Sequence, residues 1–176
     1  MYHIAQKFFV LTIILAFTSC NSDDKELAKK KFKQATTAFT SKDLKKSLDL
    51  FNQAIELNPD LYNAYLNRGN CLQLMEKHSL ALKDFNTYIS KSKNGKYLMN
   101  AYYASGVSNH YLNQNTDAIS NYSEAIKIQP NFSEAIFNRS KEYLIIGDTI
   151  RSCSDLQTCI DLGFNEAKTD LGLFCE

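Results

Sequence analysis

The sequence predicts an all-α protein built from repeated helical hairpins, and three observations carry that prediction. Phe51, Ala54, Ile55 and Leu57 recur at helical spacing, then stop at Asn58-Pro59; a second apolar-periodic run follows through Leu61, Tyr65, Leu66, Gly69 and Leu72. The same order returns later: FNQAIELNP at Phe51–Pro59 is answered by YSEAIKIQP at Tyr122–Pro130. Composition agrees, because two prolines, six glycines and no tryptophan in 176 residues suit helices with short turns, and ten Tyr and eleven Phe supply a core. Asn58 is expected to end its helix in the left-handed conformation that asparagine tolerates, with Pro59 enforcing the stop.

Taken in order, the chain opens on Met1–Ser19, MYHIAQKFFVLTIILAFTS. Lys7 gives a positive flank, and Phe8–Phe17 is an apolar run broken only by Thr12. This is too short for a membrane span, which needs about 20 residues, and has the length of a signal-peptide core. Thr18 and Ser19 precede Cys20. The segment resembles a bacterial lipoprotein signal, cleaved before a cysteine that then carries lipid. Phe17 and Ser19 stand where that signal prefers Leu and a smaller residue. The resemblance implies export, lipidation of Cys20 and anchoring to the outer membrane, on its periplasmic face or at the cell surface. Residues 20–25 form a polar tether whose Asp23 and Asp24 resemble a surface-export signal and equally suit a helix N-terminus.

From residue 26 to the end, small and large residues recur in register. Tyr65 and Gly69 correspond to Tyr102 and Gly106, and to Ile136 and Ser140; Ala81 and Ala118 stand four residues before Phe85 and Tyr122. This resembles the tetratricopeptide repeat, a 34-residue helix–turn–helix unit. The resemblance implies a right-handed α-solenoid of about four units, 28–61, 62–96, 99–132 and 133–165, followed by a capping helix at 165–174. Small residues (Ala35, Gly69, Gly106, Ser140) let paired helices approach, and about three stacked units are needed to bury a core. Three departures stand out. Lys31 occupies a place usually apolar, with Phe32 and Phe39 near enough to compensate. Asn109 occupies another. The second unit replaces its terminal proline with Ser90–Lys96, which contains an Asn94-Gly95 turn.

The fourth unit ends on Gly163 rather than proline. The last two helices should then form an antiparallel hairpin about Gly163-Phe164. Reflecting Cys153 through that turn lands beside Cys175, so a Cys153–Cys175 disulfide is expected, as export permits. Cys159 takes a small-residue position, and neither it nor Cys71 is assigned a partner.

Little points to catalysis. His3, His78 and His110 have no second ligand at helical spacing, no nucleotide, protease or hydrolase motif occurs, and the carboxylates read as solvated helix surface. No cofactor, metal or enzyme activity is expected. From Cys20 onward basic and acidic residues balance at 19 each, so nucleic acid is not an expected partner. The resemblance instead implies a concave groove lined by the first helix of each unit: Asn63, Leu66, Asn67 and Asn70; Asn100, Tyr103, Val107 and His110; Phe137, Asn138 and Lys141. Phe32, Lys33, Thr36, Gln73, Tyr111 and Glu134 extend the set. Asn amides and apolar anchors of this kind suit an extended protein segment. The Lys/Asn clamp of chaperone-binding members is missing, with Phe32, Thr36, Asn100 and Ala104 at its places. The expectation is a non-catalytic, lipid-anchored scaffold in the bacterial cell envelope that binds a protein or peptide in this groove. The alternative is an accessory subunit of an envelope assembly that uses the convex face or a solenoid end.

Overall fold

A computed structural model describes residues 22–92 and 95–175. The signal segment, Cys20 and the Asn94 half of the Asn94-Gly95 turn lie outside the described residues. Among those described there are nine helices: α1 (22–40), α2 (Leu44–Leu57), α3 (Tyr62–Leu74), α4 (His78–Lys91), α5 (Leu98–Tyr111), α6 (Asn115–Ile128), α7 (Ser133–Ile145), α8 (Thr149–Asp161) and α9 (Ala167–Phe174). They pair in chain order into four helix–turn–helix units, with α9 closing the last. The chain divides into two compact units, Met1–Arg68 and Gly69–Glu176.

In the first compact unit, α1 buries Ala28, Ala35 and Ala38 along one side, seven and three residues apart. Ala35 admits the fully buried Phe51 of α2, and Ser47 Oγ donates to the Ala35 carbonyl (3.0 Å). Phe32 packs its ring 5.9 Å from Phe51, supplying the apolar mass that Lys31 does not. Asn58 does not adopt the expected left-handed conformation. It is extended (φ −145°, ψ 91°), because the following proline disfavours helical geometry, and Gln129 before Pro130 behaves alike (φ −131°, ψ 92°). The Asn58 side chain serves the turn instead, accepting the Asp60 amide (3.1 Å).

The second compact unit repeats one packing device with changing residues. A Cβ added to Gly69 would lie 2.5 Å from the Phe85 ring, and one added to Gly106 would lie 2.5 Å from Tyr122. In the last hairpin Ser140 and Leu156 take these places, a larger small residue facing a smaller large one, both fully buried. The buried clusters follow: Ala118, Tyr122, Ala125 and Ala135, then Ile136, Leu156, Cys159 and Ala167.

The hairpin turns share a feature that their sequences hide. Lys42, Glu76, Asn113 and Gly147 have φ of 61°, 59°, 56° and 79°, and each is the fifteenth residue of its repeat, counted from Ala28, Tyr62, Met99 and Ser133. The next amide reaches back to the carbonyl five residues earlier, as from Asp43 to Ala38 (2.9 Å) and from Asp148 to Tyr143 (2.8 Å). This is the Schellman closure, in which a left-handed residue lets the chain satisfy helix-end carbonyls. Gly163 (φ 84°) does the same between α8 and α9, with Phe164 donating to the Cys159 carbonyl (2.9 Å).

Residues 165 and 166 are turn, so α9 begins two residues later than the sequence suggests. Cys153 and Cys175 are disulfide-bonded, with Cα atoms 5.6 Å apart. Closing a loop of this length restricts the unfolded chain and contributes about 3 kcal/mol in the chain-entropy account. Cys71 and Cys159 are buried thiols. Burial pushes the Cys159 thiol up to about 12, so it stays protonated and packs as a small apolar residue.

Candidate functional site: the α5–α7 face

Helix α5 carries Asn100, Tyr103, Val107 and His110 at steps of three and four, which places them on one side. Helix α7 offers Phe137, Asn138 and Lys141 in the same way, and α6 passes behind both. The two sets meet. Asn138 Nδ2 donates to the Tyr103 hydroxyl (3.1 Å), which keeps its own proton to give. Tyr103 also packs on Phe132 and Tyr122, with ring centroids 4.8 and 5.9 Å away. Burial raises its phenol above the usual value; Asn138 pulls the other way and Glu134 adds to the rise, so Tyr103 remains a neutral donor.

Phe137 lies 5.2 Å from Phe164, and the Lys141 ammonium stands 4.1 Å over the Phe137 ring. Asn100, His110 and Lys141 are exposed, whereas Tyr103, Val107, Phe137 and Asn138 are half-buried. The face therefore has fixed rings at its floor and polar groups around them. Gln73, near the end of α3, donates to the Ala104 carbonyl and to Ser108 Oγ (both 3.0 Å), so its amide is already engaged. Tyr111 is held flat on His78, with centroids 4.3 Å apart and planes within 6°.

Two expectations need correction. Leu66 is only 5% exposed, so it is a core residue with little surface for an incoming side chain. The carboxylates do not all lie on solvated surface, since Asp84, Glu142 and Asp155 are buried. Glu142 accepts from Asn115 Nδ2 (2.9 Å) and contacts His110 Nδ1 at 2.6 Å, so His110 on the face is tied to a carboxylate beneath it. Sequence gave no sign of this pairing, because the two residues lie 32 apart and on different repeats. Asn63, Leu66 and Asn67 belong to the first compact unit and Asn70 to the second. Asn63 is exposed, and Asn67 and Asn70 are half-buried. Among the described residues no group of three or more His, Cys, Asp and Glu is placed to hold a metal ion, and no helix is long and apolar enough to cross a membrane.

Family profiles described as tetratricopeptide repeat match residues 50–99 and 100–132. The solved structure of MamA superposes with a TM-score of 0.78 over 84% of this chain and 80% of that one, at 17% identity. This is a protein of the tetratricopeptide-repeat fold. YrrB, described as "a TPR protein with an unusual peptide-binding site", superposes with a TM-score of 0.76 at 21% identity, covering 90% of this chain and 81% of YrrB. The TPR domain of Arabidopsis OM64 gives 0.63 at 18% identity, covering 68% of this chain and 96% of that domain. At these identities the likeness is one of fold. Two curated relatives share sequence as well. Serine/threonine-protein phosphatase 5 of Rattus norvegicus is 33% identical over 102 residues, or 58% of this chain and 20% of the relative. Tetratricopeptide repeat protein 6 of Homo sapiens is 31% identical over 99 residues, or 56% and 18%. The chain thus spans about a fifth of the length of the curated relatives it matches. Tetratricopeptide-repeat solenoids work through extended binding surfaces rather than reaction centres.

Proposed function

We propose that this protein is a non-catalytic scaffold that holds a segment of a partner protein against the α5–α7 face, while Cys20 tethers it by lipid to a membrane of the bacterial cell envelope. The observation that carries the first part is the Tyr103–Asn138 bond beside the Phe137 ring, which fixes a donor and an apolar floor before any ligand arrives. A pre-ordered surface spares the complex the cost of freezing those side chains. YrrB, the structural neighbour described with a peptide-binding site, supports the reading by analogy of fold. The second part is supported by the apolar run Phe8–Phe17 ending just before Cys20.

Peptides selected from a displayed library on the intact protein test the face. Asn100→Arg with Lys141→Glu changes two exposed side chains and should leave the fold unaltered by circular dichroism. Affinity for the selected peptides is expected to fall about tenfold, the loss of one good contact. Unchanged affinity in a folded double variant would remove the face from the account. Acyl mass on the Cys20 peptide of protein isolated from its host tests the tether separately.

A further inference from the structure

We propose that the exposed side of α1 and the α1–α2 turn dock on anionic phospholipid headgroups. The proposal rests on the Cys20 tether proposed above. The near-zero charge of the chain hides a strong asymmetry: from Lys25 to Lys46 there are eight lysines against Glu26 and Asp43, a formal +6. With the whole chain at +1, all other residues together carry −5. Asp23 and Asp24 lower the sum to +4 when counted from residue 22.

The lysines are available. Lys29, Lys30 and Lys33 are exposed on α1 opposite its Ala28–Ala35–Ala38 side, and Lys42, Lys45 and Lys46 are exposed where α2 begins. One shallow depression is lined by Leu27, Lys29, Lys30 and Lys33 with Asp23 and Glu26; another further along α1 is lined by Gln34, Thr37 and Lys46, among others. The acids between them are partly committed, Glu26 to Lys29 (3.3 Å) and Asp43 to the Lys46 amide as the α2 cap (3.2 Å).

The course of the chain selects the occupant. Residue 22, already helical, is two residues from Cys20, a reach of at most about 7 Å. Acyl chains on Cys20 therefore bring the first turn of α1 to the headgroups. Lys29 lies about 10 Å further along the helix, comparable to the screening length at physiological salt. A tethered surface meets the bilayer at high effective concentration, so modest attraction per lysine is enough to lay α1 down. An acidic protein would meet the same lysines with no such advantage.

The test uses full-length lipidated protein in phosphatidylcholine vesicles with or without phosphatidylglycerol. Flotation with pure phosphatidylcholine and acyl mass on Cys20 report the anchor. Amine-reactive labelling read by mass spectrometry reports docking. Labelling of Lys29, Lys30, Lys33, Lys45 and Lys46 is expected to fall several-fold when phosphatidylglycerol is present and to recover at high salt, while exposed Lys83, Lys127 and Lys168 stay constant. In the variant Lys29→Glu, Lys30→Glu, Lys33→Glu, flotation should persist and the protection of Lys45 and Lys46 should vanish. Equal labelling in both vesicle types by a protein that floats would overturn docking and leave the anchor standing. Failure to float without acyl mass would overturn both.

Discussion

Helices α5 and α7 occupy equivalent places in successive hairpins, yet different interactions hold them. On α7, Arg139 is bolted by three hydrogen bonds to two partners: Nε and Nη2 donate to both carboxylate oxygens of Asp155 (2.8 Å each), and Nη1 donates to Ser123 Oγ (2.9 Å). Tyr143, one turn on, lies under two guanidiniums, Arg139 at 5.8 Å and Arg151 at 4.6 Å. On α5 the same two places hold Ser105 and Asn109. Both are buried, and Ser105 Oγ and Asn109 Oδ1 have no hydrogen-bond partner among the described residues. Helix α5 relies on shape instead, through Gly106 against Tyr122. One backbone unit thus tolerates two ways of joining helices, an ion-paired bolt and a close-packed glycine. Arg68, at the same repeat position as Arg139, donates to Asn52 Oδ1 (2.9 Å), sixteen residues back, as Arg139 donates to Ser123.

Substitutions can break or sharpen this contrast. The largest expected effect is at α7: Arg139→Ala leaves Asp155 buried and unpaired, and should cost about 3 kcal/mol in chemical denaturation. At α5, Gly106→Ala drives a methyl into the Tyr122 ring and should cost about 2 kcal/mol, with Tyr122→Leu recovering part of it by copying the Ser140–Leu156 pair. A recovery of nothing would mean that the small–large exchange is not the compensating device. Among the described residues Gly147→Ala meets no atom within 4 Å, so its cost is the left-handed backbone alone, about 1 kcal/mol by thermal melting. The smallest effect has the opposite sign: Ser105→Ala removes an orphaned hydroxyl and should stabilise by about 0.5–1 kcal/mol. Destabilisation there would show that Ser105 has a partner after all.

The sequence made the hairpins legible because their packing is encoded in residue size. Gly69, Gly106, Phe85 and Tyr122 are small or large for reasons that survive without coordinates. The Cys153–Cys175 proximity was legible too, since a helical hairpin reflects residues about its turn. The left-handed turn residues were not, because Lys42 and Glu76 carry no chemical mark of that conformation; it is imposed by the two helices they join. Polar networks were equally hidden. Glu142 looks like any surface glutamate until α5 and α6 bring His110 and Asn115 to it. The candidate face was readable as a set of positions on the helices, but Leu66 sank into the core, and burial of a single leucine cannot be told from periodicity when both sides of a helix are apolar. Charge misled in another way, since a neutral total concealed a basic segment at Lys25–Lys46.

The most direct measurement of the central claim is site-specific photo-crosslinking in the native host. A photoreactive residue at exposed Asn100 on the α5–α7 face is compared with one at exposed Ser120 on α6. The account predicts a discrete cross-linked partner from position 100 and none from 120. A partner captured from 120 and not from 100 would contradict it.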